Sequence, residues 1–123
     1  MTDPNFILLY VNSPETSARF YADLLGKSPL ESSPTFALFA LSFGMMLGLW
    51  SRHTVEPSVP AHGLGGELAF ALGSDQEVDE LYASWCTRGL AIAQTPTQMD
   101  FGYTFVALDP DGHRLRVFAP TEH

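Results

Sequence analysis

Cysteine is nearly missing from this chain. Cys86 is the single one, so no disulfide can form within it, and a reducing cytoplasm is the compartment such a sequence fits. Basic residues are scarce as well. Six Lys and Arg stand against fourteen Asp and Glu, a formal charge of −8 at pH 7, with no basic stripe. That balance argues against a nucleic acid or an anionic membrane as partner. Long apolar runs are lacking too: the most apolar one, Phe36 to Trp50, is interrupted by Ser42 and Gly44 and is too short to cross a bilayer as a helix. Met1-Thr2-Asp3-Pro4-Asn5 has neither the basic nor the apolar region of a secretion signal. A cytoplasmic, soluble protein is the expectation.

What is present suits one folded domain. The 123 residues are 46% hydrophobic and include nine Phe, enough for a real core and too apolar for disorder. Phe6–Val11 is a short apolar run that predicts a strand covered on both faces. Ser13, Pro14 and Glu15 then supply a helix N-cap, first position and first-turn acid, and Gly26 a stop. Ser17, Phe20, Tyr21 and Leu24 form the stripe between them. Strands are predicted near Thr35–Leu41 and Met45–Trp50, joined by Ser42-Phe43-Gly44. Ser51 to Gly65, with Pro57, Pro60 and Gly63, reads as a linker.

The plan then recurs. Glu67–Leu72 is strand-like, and Ser74-Asp75-Gln76-Glu77 is a capping box. Val78, Leu81, Tyr82 and Trp85 make the second stripe before the stop at Gly89. Strands follow near Leu90–Thr95 and Phe101–Leu108. Asp109-Pro110-Asp111-Gly112 is a turn, with a last strand after it whose residues alternate through Arg114, Leu115, Arg116, Val117 and Phe118. Moving the first helix region by 61 positions sets Ile7 on Leu68 and Tyr21 on Tyr82. Moving the fourth strand by 68 sets Gly44 on Gly112 and Trp50 on Phe118. The chain therefore reads as α+β, two βαβββ modules of about 5–50 and 66–118 in a single domain, their curled sheets enclosing a cavity.

Tyr10-Val11-Asn12-Ser13, Ser17-Ala18-Arg19-Phe20-Tyr21, Leu24-Leu25-Gly26 and Asp109-Pro110-Asp111-Gly112-His113-Arg114-Leu115 resemble the vicinal oxygen chelate superfamily, which includes glyoxalase I, extradiol dioxygenases and bleomycin resistance proteins. Leu47-Gly48-Leu49-Trp50-Ser51 and Asp100-Phe101-Gly102-Tyr103-Thr104-Phe105 look most like its phenazine-antibiotic resistance proteins. The resemblance implies His and Glu metal ligands at positions held here by Phe6, Gly48, Glu67 and Arg116. Phe6 and Gly48 have no donor and Arg116 stays cationic. A lone Glu67 does not make a transition-metal site, so no metal and no cofactor are expected.

Strand parity assigns Phe6, Leu8, Tyr10, Met46, Gly48, Trp50, Glu67, Ala69, Ala71, Arg114, Arg116 and Phe118 to the cavity side. Ile7, Leu9, Val11, Leu47, Leu49, Leu68, Phe70, Leu72, Leu115 and Val117 fall on the helix side, which is uniformly apolar. The expected ligand-binding residues are Phe6, Tyr10, Met46, Gly48, Trp50, Glu67, Phe101, Tyr103 and Arg116. A ring stacked on Tyr10 and Trp50 gains about 0.5–1.5 kcal/mol per pair beyond burial. The competing expectation is that Glu67 and Arg116 form an internal ion pair and the aromatics fill a closed core. His53, His62, His113 and His123 have no metal-ligand spacing, and Cys86 is expected to pack beside Trp85.

Two functions stand open at this point. One is a non-catalytic protein that binds a small planar aromatic compound, such as an antibiotic. The other is a glyoxalase- or dioxygenase-like enzyme with a relocated metal, or with Glu67 as base. Glu67 is the weak catalytic candidate, because Arg116 beside it would favour the carboxylate over the raised pKa that a base needs. A homodimer is the assembly that the resemblance implies.

Overall fold

The computed structural model describes residues 5–56, 58 and 66–121. Most of the stretch read as a linker, including Pro57, Pro60, His62 and Gly63, lies outside the described residues, as does His123. Two compact units divide the chain, Met1–Gly63 and Leu64–His123. The first runs β1 (Phe6–Val11), α1 (Pro14–Leu25), β2 (Glu31–Ser32), β3 (Phe36–Ala40), a single 3₁₀ turn (Ser42–Gly44) and β4 (Met46–Ser51). The second runs β5 (Glu67–Ala71), α2 (Asp75–Thr87), β6 (Ala91–Met99), β7 (Gly102–Leu108) and β8 (Arg114–Pro120). Both are βαβββ modules. Their four-stranded sheets have equivalent strand orders, β1-β4-β3-β2 and β5-β8-β7-β6.

The repeat extends to the pairing. β1 runs parallel to β4 with Phe6 opposite Met46 and Leu8 opposite Gly48. β5 runs parallel to β8 with Glu67 opposite Arg114 and Ala69 opposite Arg116. Each of these pairs is the other displaced by the 61- and 68-residue offsets of the sequence. A parallel pair needs a crossover, and a helix supplies it in both modules.

Local chemistry sets the helix ends. The Ser13 hydroxyl accepts from the Thr16 amide at 3.2 Å, and Gly26 closes α1 in the left-handed region (φ 65°). The Ser74 hydroxyl accepts from the Glu77 amide at 3.2 Å to open α2. Ala18 and Tyr21 of α1 are buried with Val11, Phe39, Leu47 and Leu49 of its sheet, and Val78 and Trp85 of α2 with Phe105, Leu115 and Val117 of the other, all nearly free of solvent. Trp85 meets Phe70 and Phe105 edge-on, centroids 5.8 and 5.5 Å apart.

Several elements differ from the sequence expectation. β1 is not covered on both faces: it is an edge strand, and Phe6, Leu8 and Tyr10 remain exposed while Val11 is buried. Ser51 is the last residue of β4 and Val55 is buried after it, so the first module extends into the presumed linker. β6 continues through Pro96 to Met99. Proline is tolerated there because β6 is an edge, and the register shifts on either side of Gln94 take up the irregularity. On α1, Phe20 and Leu24 are only half-buried, and Ala18 and Pro14 take up core positions instead.

The turn at Asp109 is a closed hydrogen-bonded device. Asp109 Oδ1 accepts from the amides of Asp111 (2.9 Å) and His113 (2.8 Å), and Oδ2 lies 2.8 Å from His113 Nδ1. Gly112 supplies the positive φ of 84°. At the other end of β8, Gly102 has φ 151°, and a Cβ there would sit 2.1 Å from the carbonyl oxygen of Ala119. Gly102→Ala should therefore cost about 2 kcal/mol or more. A melting temperature within a degree of the parent protein would contradict that.

Candidate functional site

In the first module the face of the sheet away from α1 carries the aromatic side chains. β-pleating turns Phe6, Leu8 and Tyr10 to that side, and the pairing brings Met46, Gly48 and Trp50 beside them and Phe36 beside Trp50. Phe6, Leu8, Phe36 and Trp50 line a cleft of about 450 Å³. Phe36 and Trp50 meet edge to face, centroids 6.3 Å apart. Gly48 is the floor. A Cβ on it would lie 2.7 Å from Leu8 Cδ2, 3.0 Å from Phe6 Cε1 and 3.1 Å from Phe36 Cζ, so the missing side chain is what lets the lining residues converge.

Sequence parity assigned Phe6, Gly48 and Trp50 to this face, and they do lie together. Tyr10 and Met46 share the face without lining the cleft. Leu8 and Phe36 line it and were not in the expected set. Leu8 was legible from its parity with Phe6. Phe36 was not, because its register against Trp50 is fixed by the β3–β4 pairing.

The equivalent face of the second module is polar. Arg116 reaches back along β5 to grip Glu67 with two bonds, Nε to Oε1 at 2.9 Å and Nη2 to Oε2 at 3.1 Å. Its Nη1 donates to Thr104 Oγ1 at 3.1 Å and to Gln94 Oε1 at 3.4 Å. The Phe101 ring stacks against the guanidinium, 5.5 Å from centroid to Cζ, and meets Phe118 edge-on at 5.9 Å. Thr104 in turn donates to the carbonyl of Val117 at 2.8 Å. The Arg116 hydrogen bonds hold the Glu67 carboxyl below the usual glutamate range, against a smaller opposing effect of burial. Arg114 Nη1, out in solvent, lies 3.9 Å from Glu67 Oε2.

Arg116 thus touches both Glu67 and Phe101. Tyr103 is not with them. Its neighbour Thr104 faces Arg116, so pleating sends Tyr103 to the other side, where its hydroxyl donates to Asp79 of α2 at 2.6 Å. That bond, which favours the protonated phenol, is the main reason its pKa is raised. Tyr103 ties strand to helix, away from Arg116. Gln94 and Thr104 contact Arg116: Thr104 was legible by parity, whereas Gln94 depends on the shifted β6 register.

The remaining candidates have structural contacts. His113 is buried against Asp109, and His53 Nε2 lies 2.7 Å from Asn12 Oδ1. Cys86 is exposed and does not pack into the core. One position past Trp85 is about 100° round the helix, which takes it off the buried side and beside Tyr82, whose pKa its hydrogen bond raises.

A model of the Glyoxalase/Bleomycin resistance protein/Dioxygenase superfamily matches residues 4–117. The chain belongs to that superfamily. It is 31% identical over 117 residues to the phenazine antibiotic resistance protein EhpR of Enterobacter agglomerans, covering 93% of this chain and 89% of the relative. A protein of Agrobacterium tumefaciens solved in solution is 57% identical, with a TM-score of 0.90 over 99% of this chain and 100% of that one. A superfamily member from Nocardioides is 26% identical, with a TM-score of 0.80 over 99% and 87%.

The metal of superfamily enzymes does not fit the residues of this chain. Of Phe6, Gly48, Glu67 and Arg116, only Glu67 has a ligating group, and both its oxygens already accept from Arg116. Among the described residues, no group of three or more His, Cys, Asp or Glu could hold a metal ion, and no helix is long and apolar enough to cross a membrane.

Two substitutions check this geometry. The folded pKa of Glu67 is lowered, so its stabilising contribution is present above the unfolded glutamate value and lost as pH falls through the folded one. The stability gap between the parent protein and Glu67→Gln should be constant above about pH 5 and shrink below about pH 4, as read from urea melts. A gap indifferent to pH would refute the pairing. Tyr103→Phe should lose about 1 kcal/mol through the bond to Asp79.

Proposed function

We propose that this superfamily member is a binding protein that sequesters a small, planar, aromatic compound without a metal, and that the compound is of the phenazine class. The observation that carries this reading is the cleft lined, among the described residues, by Phe6, Leu8, Phe36 and Trp50. Such a site takes an uncharged ring face and gives no foothold for group transfer. The likeness to a protein named for phenazine antibiotic resistance supports the ligand class.

Catalysis is the weaker reading. A general base works best with a pKa near the operating pH, and Arg116 pulls Glu67 the other way. The Asp109–His113 pair is committed to a turn. The proposal includes a homodimer in the cytoplasm.

Phenazine should quench the emission of Trp50 and raise the melting temperature with no metal added. Trp50→Phe should remove the quenching, since Trp85 is buried between α2 and its sheet. Silence across phenazines, flavins and similar planar compounds would sink the binding reading. A stoichiometric transition metal in the purified protein would sink its metal-free character.

A further inference from the structure

The first unit holds a glycine that its strand does not require. Gly48 lies within β4, an inner strand of the sheet, opposite Leu8 on one side and Leu38 on the other. Glycine weakens the interior of a strand, because it has no side chain to pack and more freedom to lose. Gly48 does not have the positive φ of Gly26, Gly44 or Gly102, and both pairings of β4 run past it without a register shift. Neither a turn nor a bulge explains it.

The atoms that a Cβ would meet do. At Gly102 the obstacle is main chain, the carbonyl of Ala119. At Gly48 the three nearest atoms are side-chain tips: Leu8 Cδ2 at 2.7 Å, Phe6 Cε1 at 3.0 Å and Phe36 Cζ at 3.1 Å. All three residues line the apolar cleft with Trp50, which pleating places on the same face two positions along β4. The walls of the cleft therefore rest in space that any other residue at this position would fill.

A methyl group there would take the space back. Ordinary contact with a Cβ begins at 3.4 Å, so the tips would have to retreat by about 0.3 Å for Phe36 and about 0.7 Å for Leu8. The β4 main chain lies beneath them, and Leu47 and Leu49 are buried on its far side, so the retreat is into the cleft. The fold can bear it, because free ends of side chains move and main chain does not. The cleft cannot keep its shape. An apolar lining holds a flat ring by the area it covers, and a shallower cleft covers less of a large plate than of a small one.

We propose that Gly48 is the specificity-determining residue of this cleft: its missing Cβ gives the walls the depth that a three-ring plate needs, so fused tricycles are held in preference to two-ring analogues. This deepens the binding reading above and rests on it.

The test follows Trp50 emission while the full chain is titrated with phenazine and with quinoxaline, which keeps the pyrazine ring and has one fused ring fewer. The parent protein should bind phenazine about tenfold tighter. Gly48→Ala should weaken phenazine about tenfold and quinoxaline about twofold, so the preference nearly disappears. Leu8→Val removes the atom closest to the new methyl, so Gly48→Ala with Leu8→Val should bind phenazine more tightly than Gly48→Ala alone. A glycine with a merely structural role would lower the melting temperature and leave the preference unchanged. That result in a folded Gly48→Ala would overturn the assignment. So would equal binding of the two compounds by the parent protein, which needs no variant to fold, or a double variant no tighter than the single one. If phenazine binds and these comparisons are flat, only the role of Gly48 fails. If neither compound binds, the binding reading fails and the role of Gly48 goes with it.

Discussion

Each four-stranded sheet in this protein has one helix to cover it, and a helix can cover one face. The structure follows from that constraint. Residues on the covered side must be apolar and closely packed: Leu47 and Leu49 lie beneath α1, Leu115 and Val117 beneath α2, all within 1% of complete burial. Their neighbours one position along face the other way and carry no such obligation. The open faces are thus where side chains can vary without cost to the core, and where the two modules have diverged.

The divergence is sharp because the backbone is the same. Phe6 and Glu67 hold equivalent places at the start of β1 and β5, as do Gly48 and Arg116 on β4 and β8. In one module the result is an apolar cleft above a buried glycine, with three side chains leaning into the space that a Cβ would fill. In the other it is an arginine held by a bidentate carboxylate, a hydroxyl, an amide and a ring. The first presents apolar shape, and the second hydrogen-bonding groups and charge.

Saturation of Arg116 matters more than its charge. An exposed ion pair contributes little to stability, and a solvated arginine would be an ordinary anion site. Here Glu67 neutralises it, Thr104 and Gln94 take its other nitrogen, and the same bonds keep Glu67 ionised. One set of contacts engages both oxygens of Glu67 and all three nitrogens of the Arg116 guanidinium.

The architecture was legible in the residues themselves. Caps at Ser13 and Ser74, stops at Gly26 and Gly89, the Asp109–Gly112 turn and the offsets of 61 and 68 are local or repetitive signals, and each survives in the fold because short-range hydrogen bonds and backbone sterics enforce it. Parity likewise placed Phe6, Gly48, Trp50, Glu67 and Arg116 on the faces away from the helices. Contacts between strands were another matter. Tyr103 bonds to Asp79 across 24 positions, Arg116 reaches Glu67 across 49, and Gln94 arrives beside Arg116 through a register shift in an edge strand. Such contacts depend on pairing register and on the reach of long side chains, neither of which a period-2 pattern encodes. The sequence by itself determined which side of each sheet would be core; only the tertiary structure decided which side chains on the other side touch, because touching depends on register and reach.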